Sequence, residues 1–443
     1  MADAPDALSE FRQFTALSRD VLVVSVAMFA FSLAFQMTSR YVPAYLTALG
    51  AGAGVVGIYG SLGNLVSALY PYPGGRLSDR IGSRTALTLF GALSTLGFVV
   101  WALAPDLPAV PFVAVTLDVP IAGDVSTPNA LDPWIWVLVG LFFTQAWKSL
   151  GLGATFAVVK QSVPPDRLAT GFASTETFRR VGFLLGPLLA AAVLAAVIDF
   201  ESGFQVVLLL GVAFAATATI VQRVLYDADE DTLGKSFSGV SDVIEDVRAL
   251  PAELEPLLVA DTVVRFANGM VYVFFVLVVT DYLRVGFTGF GLTLRPDAFF
   301  GVLLAIEMAV ALLSMIPVSR LADRVGLKPV VALGFFVYAA FPGLLAFAPA
   351  NQWVLLALFA FSGLRFAGLP AHKALIVGPA EQNAGGSVTG AYYLVRNLAV
   401  IPSALFGGLL YDSDPVFALV SASLVGLVGV AYFAVYGRRF DPE

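Results

Sequence analysis

Twelve runs of about 20 apolar residues, joined by short polar links, limit what this chain can be. At 1.5 Å rise per residue, a helix of that length crosses the ~30 Å hydrocarbon layer of a bilayer. There a helix satisfies its own backbone hydrogen bonds, which an open strand cannot do. The runs lie near 20–47, 53–75, 84–104, 133–160, 168–198 and 203–224, then near 258–283, 297–319, 328–348, 352–376, 386–410 and 415–436. The expected fold is an all-α membrane protein, with twelve transmembrane helices in two six-helix bundles at 20–224 and 257–436. An N-terminal segment (1–19), an outer loop (105–132), a linker (225–256) and a tail (437–443) lie outside the helices. No small-residue cleavage site follows the first run, so it reads as a retained helix.

The basic residues sort to one side of this arrangement. Arg12, Arg19, Arg76, Arg80, Arg84, Lys160, Arg167, Arg223, Lys235, Arg248, Arg320, Arg324, Lys328, Lys373, Arg438 and Arg439 share a side, and only Arg284 and Arg295 stand in the opposite loops. The positive-inside rule then makes both termini and the linker cytoplasmic. One miscounted span would scramble the sorting. The 105–132 loop has no Lys or Arg. Its alternation from Phe112 to Val119 allows a small hairpin, but a plain extended loop is the expectation. From Val240 to Leu250 apolar residues recur at helical spacing among acids, as in a short surface helix.

Charged residues make up 13% of the chain, against roughly 25% in soluble domains. The acids gather at Asp3, Asp6 and Glu10 and between Asp227 and Glu255, and the net charge is −7. These acids read either as a solvated acidic linker or as the mark of a high-salt cytoplasm, where acidic surfaces keep a protein hydrated; the second is favoured, so a haloarchaeal source is expected. Cysteine is absent and His372 is the one histidine. That excludes a thiolate metal site and a His-based triad, and no metal or cofactor is expected. His372, beside Lys373, is expected in a solvated cytoplasmic loop. No phosphate-cradling loop, GxGxxG after a strand, or HExxH is present, so the chain reads as neither an enzyme nor an ATP-driven pump.

Two cytoplasmic links match position for position. The first runs Pro73-Gly-Gly75-Arg-Leu-Ser-Asp79-Arg80-Ile-Gly82-Ser-Arg84, and the second Pro317-Val-Ser-Arg-Leu-Ala-Asp323-Arg324-Val-Gly326-Leu-Lys328. One copy follows span 2 and the other span 8, so the halves are duplicates. The pattern resembles the signature loop of the major facilitator superfamily, with Ser319 standing where that family prefers Gly. The resemblance covers about 20–436. It implies that the loop latches helix ends and biases the outward-open state, rather than binding substrate. On physical grounds Gly75 would let two helices approach closely, and Asp79 could face the positive end of a neighbouring helix. Gly182, Gly186 and Pro187 in span 5 resemble the Gly-x-x-x-Gly-Pro element of facilitator-type antiporters, though a small-residue packing face with a proline kink explains them as well. Gly363 to Pro370, leading into Tyr392, Tyr393 and Arg396, is loosely similar to prokaryotic efflux-type members.

Ionisable groups inside a membrane are costly, so each is a candidate site. Lys148 lies about 22 Å into span 4, Glu307 about 15 Å into span 8 and Arg365 about 20 Å into span 10. None has an opposite charge on its own helix. Glu307 is the candidate proton carrier unless a cation such as Lys148 or Arg365 pairs with it. Arg396, Asn397, Gln36 and Asn64 add polar groups, and Arg40 either joins them or snorkels outward. Asp261–Arg265 and Glu176–Arg180 are four apart and are expected to neutralise each other.

The expectation is a secondary transporter of the plasma membrane, working by alternating access on a small solute. Proton-coupled antiport in the efflux direction comes first, with uptake by symport or uniport as the alternative. Cations outnumber acids in the spans, which favours an anionic substrate. The expected partners are the solute, protons and lipid, with no nucleic acid, and the chain is expected to be a monomer.

Overall fold

A computed structural model describes residues 19–111, 116–119, 123–126, 130–151, 154–155, 158, 168–227, 245, 247–377 and 385–437. Among the described residues ten helices are long and apolar enough to cross a membrane, or eleven with the bent pair Ala53–Leu69 and Pro73–Ile81 counted as one span. Span 1 is Arg19–Ser39, span 2 the bent pair, and span 3 Ser83–Asp106. Trp134–Thr144, continued by a π-helical turn at Ala146–Leu150, stands where span 4 is expected. Then come span 5 (Thr175–Ala196), span 6 (Phe200–Leu225), span 7 (Ala252–Tyr282) and span 8 (Pro296–Met315). Span 9 is Leu327–Ala346, span 10 Gln352–Ile376, span 11 Val388–Ser413 and span 12 Pro415–Tyr436. The face holding Arg19, Tyr226 and Gly437 is called the terminus face below, and the opposite one the far face.

The duplicated loop gives each half the same corner. Gly82 and Gly326 have φ of 83° and 86°, a backbone that L side chains rarely adopt, and each turns one helix directly into the next. Two residues on, Arg84 donates through Nε (3.0 Å) and Nη2 (2.8 Å) to the Arg223 carbonyl at the end of span 6. Lys328 donates to the Ala434 carbonyl near the end of span 12 at 3.0 Å. A cation on the last carbonyls of a helix supplies missing donors and suits its dipole. These basic residues therefore clamp equivalent helices by their carbonyls. Asp79 and Arg80 are exposed. The close approach expected at Gly75 belongs to Gly74, where a Cβ would collide with the Leu150 backbone; at Gly75 it would meet nothing among the described residues.

The halves meet tightly towards the far face. A Cβ on Gly57 would lie 2.6 Å from the Ala404 carbonyl, and one on Gly408 2.7 Å from the Ala53 carbonyl, so spans 2 and 11 touch backbone to backbone. Gly301 in span 8 faces the Pro187 carbonyl of span 5 in the same way. Arg295, just before span 8, donates to the carbonyls of Leu194 (2.9 Å), Val197 (2.7 Å) and Ile198 at the end of span 5. Asp297 holds its guanidinium at 2.8 Å. Tyr41 donates to the Asp297 carbonyl at 3.2 Å.

One expectation outside the membrane changes. The long loop is a hairpin with nested ladders: Val110 pairs Leu131, and Thr116 to Val119 pair Ser126 to Gly123. A short hairpin, Phe287–Gly289 with Leu292–Leu294, also precedes span 8. The surface helix expected at Val240 to Leu250 lies mostly outside the described residues.

Candidate functional site

Breaks in helical geometry carry the polar side chains of the centre. Lys148 sits in the π-helical turn of span 4, Arg365 in a 3-10 turn (Leu364–Phe366) and Tyr272 in another (Tyr272–Phe274). Such irregular turns occur disproportionately at functional sites. Gly363 lies so close to the Glu307 carbonyl that a Cβ would clash. That approach sets Ser362 and Arg365 on either side of the Glu307 carboxylate. Ser362 Oγ donates to Oε2 at 2.9 Å and Arg365 Nη2 to Oε1 at 2.7 Å. Both charged side chains are almost completely buried, at 1% and 3% exposed. The rings of Phe366 and Tyr338 lie 4.8 and 5.2 Å from the Arg365 guanidinium carbon.

Glu307 faces a cavity of about 180 Å³ between the halves, which Arg40 and Gln36 also line. Arg40 is 9% exposed and does not snorkel. Its guanidinium lies 3.8 Å from the centre of the Tyr272 ring, and neither Nη1 nor Nη2 has a hydrogen-bond partner. A second lobe of about 200 Å³ holds Lys148, exposed into it, with Phe31, Phe35 and Trp147. Lys148 Nζ is 4.1 Å from the Phe35 ring centre, and no acid pairs with it among the described residues. Glu176, Arg179 and Phe183 border both lobes. Arg179 (2.7 Å) and Arg180 (2.9 Å) both bind Glu176, so the expected pair is a triad.

The remaining candidates divide. Asn64 donates to the Val400 carbonyl at 3.5 Å and joins spans 2 and 11. Asp261 is fully buried and bound by Arg265 at 3.2 Å, as expected, and also by Arg396 at 3.0 Å. Asn397 accepts from Arg396 at 2.9 Å. His372, expected in solvent, is 4% exposed with Nε2 3.3 Å from Asp261 Oδ2. Span 10 continues as a helix through Val377, and adjacent residues on a helix point about 100° apart, so Lys373 is exposed while His372 turns inward.

No family model matches the chain. An uncharacterized MFS-type transporter of Methanocaldococcus jannaschii is 20% identical over 414 residues, 93% of each chain. A POT family transporter, solved in complex with 5-aminolevulinic acid, superposes with TM-score 0.70 at 14% identity, covering 95% of this chain and 96% of its own. The nucleoside transporter NupG gives 0.65 at 12%, covering 94% and 96%. A bacterial homolog of the human lysosomal transporter Spinster, inward-facing and unoccupied, gives 0.64 at 13%, covering 99% and 100%. The chain has the major facilitator fold. The relative and these structures are transporters, not enzymes.

In this major facilitator fold the polar cavity is lined from both halves, by spans 1 and 5 on one side and spans 7, 8 and 10 on the other. Gly182 and Gly186 pack span 5 onto span 1: a Cβ on Gly182 would lie 2.9 Å from the Phe29 carbonyl, and one on Gly186 3.0 Å from the Leu33 carbonyl. The two glycines of the antiporter-like element therefore hold the cavity wall and do not line the cavity. Pro187 borders the first lobe. Asp323, Arg324 and Gly326 lie at the end of the helix Pro296–Val325 and its turn, and neither Arg324 nor Gly326 lines the cavity. Tyr272, between Arg40 and Arg365, escaped the sequence reading, because an aromatic in an apolar span looks like core.

Proposed function

We propose that the chain is a secondary transporter that carries a small organic anion across the plasma membrane by alternating access. The observation that carries this reading is Arg40: a buried guanidinium with two unpartnered nitrogens, aimed into a cavity between two pseudo-symmetric halves. An unpaired buried cation is costly, and an incoming carboxylate supplies the acceptors that the protein withholds. Glu307 already serves Arg365 and Ser362, and Glu176 already serves two arginines, so neither acid is free to pair with Arg40. Lys148 adds a second cation in a lobe with aromatic walls, suited to the apolar body of an organic acid.

The sorting of basic residues puts the terminus face in the cytoplasm. The tight far-face packing then closes the outside, and the cavity belongs to an inward-facing state. Glu307 is the proton-responsive group, since taking up a proton would release Arg365. The antiporter-like packing of span 5 favours exchange of solute for protons in the efflux direction. Thermal stability of the purified protein in high salt tests this reading against panels of carboxylates, lipophilic cations and neutral solutes. A ligand at 100 times its dissociation constant stabilises by about 2.7 kcal/mol. Stabilisation by carboxylates alone supports the reading, and stabilisation only by cations or neutral compounds refutes it.

A further inference from the structure

Beyond the central cavity, the only histidine is buried against the most heavily bonded carboxylate of the C-terminal half. Asp261 is 0% exposed and accepts from Arg265, Arg396 and the Tyr392 hydroxyl (3.2 Å), with His372 Nε2 at 3.3 Å. Arg265 also donates to the Tyr338 hydroxyl at 2.7 Å, and the Tyr338 ring lies against Arg365, which holds Glu307. A chain of polar groups, buried except for the half-buried Arg265, thus runs from the cavity acid to His372. Along it lies a void of about 10 Å³ lined by Arg265, Tyr338, Arg365 and His372. A space of that size holds about one water molecule. Arg365 Nε, Arg365 Nη1 and His372 Nε2 are all buried without hydrogen-bond partners. Two donors and one imidazole nitrogen around such a void are the partners a bridging water requires.

We propose that Asp261 and His372 form a second proton-binding site, coupled to Glu307 through Arg365, Tyr338, Arg265 and one water in the void between them. The groups facing His372 are Asp261 and Arg265 from span 7, Phe335 and Tyr338 from span 9, Arg365 from its own span, and Tyr392 and Arg396 from span 11. Asp261 is outnumbered by Arg265 and Arg396, so a proton on His372 enters a site that is already cationic. Neutralising Glu307 uncovers the charge of Arg365 on the other side of the void. A proton at either site therefore opposes one at the other, as for any coupled pair of titrating groups.

The inference rests on Glu307 being the proton-responsive group of the proposed transporter, but its test needs no transport. With a single histidine, 15N-histidine labelling of the full chain gives one imidazole signal to follow with pH. The expected result is that Glu307→Gln shifts the pH profile of the His372 signal by about 0.5 pH unit or more. The shift shrinks in the Tyr338→Phe background. If Glu307→Gln does not fold, Tyr338→Phe alone must change the midpoint. Equal midpoints in the variants and the parent, or no titration between about pH 4 and 9, overturn the inference. Absence of pH-dependent flux in the parent protein, with the coupling intact, would instead count against the transport reading.

Discussion

Replacing Arg40 with Gln separates a ligand-binding cation from a structural one. In the parent, the guanidinium stacks on Tyr272, an interaction worth about 1–2 kcal/mol when desolvated. Against that stands the burial of a cation whose two terminal nitrogens have no acceptor, a penalty of several kcal/mol. The ligand-free Arg40→Gln protein should therefore melt no lower than the parent. Binding should suffer. Two charge-assisted hydrogen bonds lost from a bidentate carboxylate amount to about 3 kcal/mol, roughly a 100-fold fall in affinity. A carboxylate at 100 times its parental dissociation constant stabilises the parent by about 2.7 kcal/mol; a 100-fold weaker complex retains only about 0.4 kcal/mol. Thermal unfolding of both proteins, with and without the ligand, measures both quantities. Unchanged ligand stabilisation in Arg40→Gln would refute the reasoning. So would a large drop in ligand-free stability, which would make Arg40 a packing element.

Glu307→Gln should abolish the pH dependence of flux, and it should cost about 3–5 kcal/mol of stability by leaving Arg365 buried and unpaired; the double variant Glu307→Gln/Arg365→Gln should recover most of that loss. Gly74→Ala should destabilise by about 1–3 kcal/mol through the Leu150 backbone, whereas Gly75→Ala should be neutral, both read by melting temperature. Asp199, outside the membrane, accepts from the Ser202 amide at 2.8 Å to cap span 6, and these hydrogen bonds hold its carboxyl below the usual range. A depressed carboxyl stabilises above its unfolded value and loses that contribution as pH falls, so the melting difference between parent and Asp199→Ala should close below about pH 4.

The spans, the duplication and the intramembrane charges were legible in the sequence because a bilayer forces a period and a length on the chain. Glu307 and Arg365 could be named as candidates, but their pairing could not be read. They are 58 residues apart and meet only because Gly363 lets span 10 lie against the Glu307 backbone. The duplicated motif contains both corner glycines, Gly82 and Gly326, whose positive φ is a local demand. It misplaced the helix contact by one residue, because which face of span 2 meets span 4 depends on the bend between Leu69 and Pro73. His372 was misread because a charged neighbour, Lys373, suggested water, whereas the helix continues and turns the two residues apart.

Counterflow into proteoliposomes tests the central claim most directly: vesicles preloaded with an excess of an unlabelled carboxylate selected by thermal stabilisation should concentrate the labelled compound transiently. The account predicts accumulation by the parent, and its loss in Arg40→Gln without loss of folded protein. A folded parent that binds the carboxylate but shows no counterflow would contradict the claim that this chain is a carrier.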